Sequence, residues 1–372
     1  MIEPVELLRV LAWHGITFFS GVPDSLLKEF CACVADRAAP DDHLIAANEG
    51  GAVAAALGYH LATGRTPVVY MQNSGLGNAI NPLLSLADPA VYGTPMLLLI
   101  GWRGEPGTRD EPQHAKQGAV TLALLDAMQL PYAILDAATR DVQNAVSGLL
   151  QRARGIPCAM VVRKGTFAAY GAPTAARAAG SLDRERTIAA IADSAAPGDL
   201  FVATTGVTAR ELYEHRVRRR EDHARDFLVI GGMGHASQIA HALAVHQPSR
   251  QVYCLDGDGA LLMHMGALAT IGASRVRNLR HVVLNNGAHE SVGGQPTAAL
   301  SIDVPAIARA SGYARAARID AADELPGALR ELREGDGPAL LEVRIATGHR
   351  PDLGRPASPP AHYKNALMHG VR

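Results

Sequence analysis

The chain has 372 residues, 48% of them hydrophobic, a formal net charge of −1 and four cysteines. The length suits two domains with their own cores. No apolar run reaches the roughly 18 residues that cross a bilayer, the start Met1-Ile2-Glu3-Pro4 lacks a signal-peptide pattern, and the absence of a long basic block argues against nucleic acid. A cytoplasmic protein with reduced thiols is expected, since Cys31, Cys33, Cys158 and Cys254 follow neither a zinc spacing nor a secreted framework.

In chain order, Gly21-Val22-Pro23-Asp24-Ser25 comes first. Asp24 after Gly-x-Pro is either a helix N-cap or a chemical group. Ala46 to Ala52 opens a Gly/Ala-rich helix with Glu49 in its first turn, where the positive end of the dipole favours a carboxylate. The strand Val68 to Met71 leads into Asn73-Ser74-Gly75-Leu76-Gly77, and Met96 to Ile100 is a further strand. The polar, Gly/Pro-rich run 101–117 has the composition of a lid; it carries Arg103, Arg109, His114 and Lys116. The strand at 159–163 and the segment 164–170 close a first domain, 1–170. The run 171–181 reads as a linker, and a second domain spans 182–372, opened by an N-cap at Asp183. Leu200 to Ala203 is a strand followed by Thr204-Thr205-Gly206-Val207-Thr208, where the threonines either cap a helix or meet a ligand. The charge-dense run 216–225 is expected as a solvated helix end or loop. Gly231-Gly232-Met233-Gly234 fails as a dinucleotide fingerprint because Ser237 replaces the third glycine. The tail 348–360, rich in Pro and Gly, is expected on the surface.

Near the middle of the second domain, Val252 to Leu255 runs into Asp256-Gly257-Asp258-Gly259-Ala260. Twenty-five residues then separate Gly259 from Asn285-Asn286. The intervening stretch holds a helix, Ala260 to Ser274, and a strand, Arg280 to Leu284. Glycines let backbone approach a phosphate, and Asp and Asn supply the hard oxygens that Mg²⁺ prefers. A shift of 184 residues lays Gly50 on Gly234, Val68 on Val252 and Gly75 on Gly259 without a gap. Two copies of one α/β unit, each on a parallel sheet, follow from this register.

The GDG-to-NN motif resembles the diphosphate-binding motif of thiamine diphosphate enzymes. Over nearly its whole length the chain resembles the phosphonopyruvate decarboxylases, in 21–28, 70–86, 101–117, 284–297 and 350–356, with sulfopyruvate decarboxylases as relatives that commonly split the two domains into separate chains. The resemblance implies an α/β fold of two thiamine diphosphate-binding domains, pyrimidine-binding and diphosphate-binding, with no middle domain. It implies thiamine diphosphate and Mg²⁺ as cofactors, and a homodimer or higher homo-oligomer with sites between subunits. Glu49 would bond the N1′ of the aminopyrimidine. Asp258, Asn286 and the main-chain oxygen of Ala288 would hold the metal, and Gly257, Gly259 and Ala260 the diphosphate. Thr205, Gly206, Val207, Gly231 and Met233 would line the cofactor, with Met233 as ordinary core filler the competing reading. Asp24, His114 and His289 are the candidate proton carriers. Ser25, Arg103, Arg109 and Lys116 are the candidates for the substrate anion, each cation alternatively a solvated loop residue. The reaction implied is decarboxylation of 3-phosphonopyruvate, with sulfopyruvate or another 2-oxo acid as the alternative.

Overall fold

The computed structural model describes residues 1–171 and 182–371; all but the first residue of the expected linker 171–181 lies outside the described residues. Among the described residues twelve strands form two sheets. The first holds β1 (Phe19–Gly21), β2 (His43–Ile45), β3 (Val68–Gln72), β4 (Leu97–Gly101), β5 (Tyr132–Leu135) and β6 (Cys158–Val162) in the order β2-β1-β3-β4-β6-β5. The second holds β7 (Leu200–Ala203), β8 (Asp226–Leu228), β9 (Val252–Gly257), β10 (Leu279–Asn285), β11 (Arg315–Ile319) and β12 (Ala339–Arg344). Its order is β8-β7-β9-β10-β12-β11, the first order repeated strand for strand. Every pairing is parallel.

Buried parallel strands read as continuous apolar runs because helices cover both faces. Alternate residues therefore feed two cores. Val68 and Tyr70 face one core with Leu97 and Leu99, while Val69 and Met71 face the other with Leu98 and Ile100. The second sheet divides Tyr253 and Leu255 from Val252 and Cys254 in the same way. The chain divides into two compact units, and the unit holding the first sheet also takes 289–296. Among the described residues no helix is long and apolar enough to cross a membrane. All four cysteines are buried and unpaired.

The structure departs from the sequence reading at four places. The helix expected from Ala260 to Ser274 is two, Asp258–Met263 and Ala267–Ser274. His114 and Lys116 belong to the helix Pro112–Ala127, so only the preceding segment of the 101–117 run is loop. The run 216–225 is not uniformly solvated: Arg216 is 1% exposed, bonded through Nε to Asp226 and through Nη1 to Glu221, with its guanidinium 4.9 Å from the Phe201 ring. A buried charge persists only where it is paired, and Arg216 is paired twice. The tail is exposed in part, but Leu353 is buried and the Gly354 carbonyl accepts a bond from Arg210 Nε at 2.7 Å. It leads into a last helix, Pro360–Gly370. Asp183 caps its helix as expected, accepting the Arg186 N–H at 3.0 Å.

Candidate active site

In both units the candidate residues follow the carboxyl ends of parallel strands, where open α/β sheets form their ligand crevices. In the first unit Asp24 follows β1, Glu49 follows β2, Gly75 follows β3 and Arg103 follows β4.

Glu49 is the first residue of the helix Glu49–Thr63, whose N-cap is Asn48, accepting the Gly51 N–H. Glu49 is nevertheless only 5% exposed. Asn78 donates to Oε2 at 2.7 Å, and Oε1 lies against Gly75, where a Cβ would collide with it. The backbone of Gly75 is ordinary, so glycine stands there for space. Two turns thus fix one carboxylate, one by a bond and one by contact.

Asp24 is fully buried. Its Oδ1 accepts from Gln72 at 2.7 Å and its Oδ2 from the Leu26 N–H at 3.0 Å. The helix beyond it starts at Lys28 with Leu27 as its N-cap, so Asp24 closes the turn before the helix rather than capping it. Burial raises its pKa, against the bonds from Gln72 and Leu26 and the charge of Arg103. Gly101 packs so closely that a Cβ would strike Asp24 Oδ2.

Arg103 sits at the centre of a cluster that local sequence does not reveal. Its Nε and Nη2 grip Asp110 at 2.8 and 2.5 Å, and its Nη1 donates to Ser25 at 2.7 Å. The same carboxylate contacts His114 Nδ1 at 2.9 Å and accepts the Gly104 and Glu111 N–H groups. Burial opposes ionisation of Asp110, but the bonds from Arg103 and His114 outweigh it and hold the carboxyl well below its usual range. Arg109 and Lys116 are exposed, and Arg109 has no ion pair among the described residues.

In the second unit Thr205 and Gly206 follow β7, Gly231 and Met233 follow β8, Gly257 ends β9 with Asp258 to Ala260 just after it, and Asn286 follows β10. Neither Thr205 nor Thr208 caps the helix Val207–Arg219; Gly206 does, at φ +95°, and no side chain bonds the helix start. The Thr205 hydroxyl instead donates to the Ile230 carbonyl at 2.9 Å and ties two of the site loops together. Val207 is buried, while Gly231 and Met233 are partly exposed. Behind the glycine turn lies a buried network. Asp256 Oδ1 accepts the Gly257 N–H at 3.0 Å, Asp256 Oδ2 is 3.3 Å from His281 Nε2, and His281 Nδ1 is 3.1 Å from Tyr313 Oη.

Asp258 is buried and accepts a short bond from the Thr297 hydroxyl. No salt bridge reaches it among the described residues. Burial raises its pKa to about 6, against neutral donors at Thr297 and the backbone of Asp258, Gly259 and Asn286. A buried carboxylate bonded only by neutral groups is completed by a cation, and hard oxygens at 258, 286 and 288 are the donor set that Mg²⁺ takes. These residues therefore fit the metal that the motif implies. Asn285 and Asn286 differ in role: Asn285 is buried and bonded to Glu342, and Asn286 Oδ1 accepts the Ala288 N–H at 3.1 Å. His289 is buried, and burial lowers its pKa to about 4, so it is neutral at pH 7 and supplies no imidazolium there.

Residues 6–129 match the N-terminal TPP-binding domain of thiamine pyrophosphate enzymes, and residues 204–343 match the C-terminal one. A phosphonopyruvate decarboxylase of Streptomyces viridochromogenes is 35% identical over 97% of this chain and 93% of its own length. One of Streptomyces hygroscopicus is 35% identical over 97% and 92%. A sulfopyruvate decarboxylase of Methanosarcina acetivorans is 27% identical over 96% and 95%. That last relative joins both domains in one chain, so a fused chain does not by itself separate the two substrates.

Proposed function

Because this chain belongs to the thiamine pyrophosphate enzymes, in the group of the phosphonopyruvate decarboxylases, we propose that it converts 3-phosphonopyruvate and a proton to phosphonoacetaldehyde and CO₂. The likeness to two such decarboxylases over nearly the whole length carries the reading. Bound thiamine diphosphate supplies the nucleophilic carbon and the electron sink. Glu49 holds the aminopyrimidine end, and Asp258, Asn286 and the Ala288 carbonyl hold Mg²⁺ at the diphosphate end. The domains run 1–170 and 182–372. Two subunits of a cytoplasmic homodimer complete each site, the first domain of one facing the second of the other. Asp24 is the candidate to return a proton to the reacting carbon, because it is a buried carboxyl whose pKa burial raises. CO₂ release measured with phosphonopyruvate and with sulfopyruvate, each with and without thiamine diphosphate and Mg²⁺, tests the reading. A higher kcat/KM for sulfopyruvate overturns the substrate.

The charge of Arg103 is already matched by Asp110, so the exposed Arg109 and Lys116 are the candidate cations left to meet a phosphonate, and Arg109 is tested first. Arg109→Ala is expected to raise KM with cofactor affinity unchanged; an unmoved KM removes Arg109 from the site. Asp110 positions both Arg103 and His114. Charge-assisted bonds contribute about 1.5–3 kcal/mol each, so Asp110→Asn is expected to lower kcat/KM about 10- to 100-fold. Its melting temperature should fall only modestly, because the residue borders solvent. A kcat/KM equal to wild type in steady-state assays would exclude the role.

A further inference from the structure

We propose that Glu342, on β12 and outside every motif read from the sequence, is a positioning residue for the metal turn. The inference rests on the metal reading of Asp258, Asn286 and Ala288. Glu342 is 0% exposed. Its Oε1 accepts from Asn285 Nδ2 at 2.7 Å, and its Oε2 accepts from Arg318 Nε at 2.7 Å on β11. Arg344 Nε stands 3.4 Å from Oε1. The carboxylate is thus flanked by two arginines and aimed at the Asn285 amide.

That contact decides which way Asn285 points. An amide has one donor end and one acceptor end, and only neighbours settle which is which. A carboxylate paired with arginines accepts without donating, so Asn285 must turn its NH₂ toward Glu342, with the Ala299 carbonyl 3.4 Å from the same nitrogen. Its Oδ1 is then directed to the Gly287 N–H, which it accepts at 3.0 Å. Gly287 is the hinge of the turn: its φ is +66°, and a Cβ there would collide with Leu300. Its carbonyl accepts the Thr297 N–H at 2.9 Å, and Thr297 bonds Asp258. Rotation of the Asn285 amide would therefore unsettle residues 286–288, which carry two of the three metal oxygens. The chain of causation is Glu342, Asn285, Gly287, metal. Outer partners that aim the ligands typically account for about 10- to 100-fold of metal affinity.

The test is Mg²⁺ titration of thiamine diphosphate uptake by the full chain, followed by calorimetry at fixed cofactor, with melting temperature measured in parallel. Glu342→Met is expected to raise the Mg²⁺ half-saturation about 10- to 100-fold, and Glu342→Gln, which can still present an acceptor oxygen to Asn285, to rescue much of the loss. Asn285→Ala should give the same shift, and the double variant should lose no more than either single one, as coupled residues do. If Glu342→Met does not fold, Asn285→Ala carries the same expectation. Folded variants whose melting temperature drops while the Mg²⁺ half-saturation stays at wild type overturn the proposal and leave Glu342 as core. Wild-type chain that takes up cofactor with no Mg²⁺ dependence overturns the metal reading instead.

Discussion

Glu49→Gln should lower turnover by about 10²–10⁴, the range that general acid–base catalysis supplies, while the chain stays folded and still takes up cofactor. The structure explains why so conservative a change acts so strongly. Glu49 lies between the Asn78 amide, which donates to Oε2, and the bare α-carbon of Gly75, which meets Oε1. Glutamine fits the volume. Its NH₂ either faces the Asn78 NH₂, donor against donor, or takes the place of Oε1 against Gly75. In both orientations an amide cannot hold or release the proton at the ring nitrogen. Activity should therefore fall in kcat rather than in cofactor affinity, because shape is preserved and only protonation is lost. Steady-state CO₂ release together with calorimetric uptake of thiamine diphosphate separates the two. Turnover near wild type in a folded, loaded variant would remove Glu49 from the chemistry.

Much of this architecture is legible in the residues themselves. The shift of 184 that aligns Gly75 with Gly259 predicts two copies of one unit, and the strand orders coincide. Strands and glycine turns are readable because period and composition are local. Partnerships are not. Asp110 lies in the same run as Arg103 and His114, yet which cation it meets depends on how the segment after β4 folds onto the start of the next helix. Glu342 pairs with Asn285 because β12 lies beside β10, a consequence of sheet order that no spacing announces. The sequence neighbours of Arg216 are charged and suggest solvent; its burial follows from Asp226 at the start of β8 and Phe201 on β7. The helix after the glycine turn breaks at His264 to Gly266, where a Gly sits inside an otherwise helical pattern. For Asp110, Glu342 and Arg216 the hidden feature is a polar contact made across elements, whereas apolar patterning is a sound guide.

Asp258→Asn is expected to separate stability from function. Without metal, the buried carboxylate has its pKa raised to about 6. The folded chain then binds a proton more tightly than the unfolded one, whose aspartate titrates near its usual value of about 3.9. Stability contributed by this group is present at low pH and is lost as pH rises through about 6. At pH 7 the metal-free wild type therefore carries an ionised, desolvated carboxylate, a cost of order 1–3 kcal/mol by linkage. Asparagine has no such charge and can still accept from Thr297. The metal-free variant should melt at or above wild type at pH 7, and its stability should vary less between pH 4 and 7. Mg²⁺ reverses the order. It binds the ionised carboxylate, so wild type gains stability on adding Mg²⁺ with thiamine diphosphate, and apparent affinity weakens below pH 6 as protons compete. The variant should show neither gain, with Mg²⁺-dependent cofactor uptake reduced more than the roughly 100-fold ceiling of an outer-partner change and CO₂ release reduced with it. Thermal melts across pH, with and without Mg²⁺ and cofactor, read all of these at once. An Asp258→Asn variant that still gains wild-type stability from the pair would show that the metal is held elsewhere.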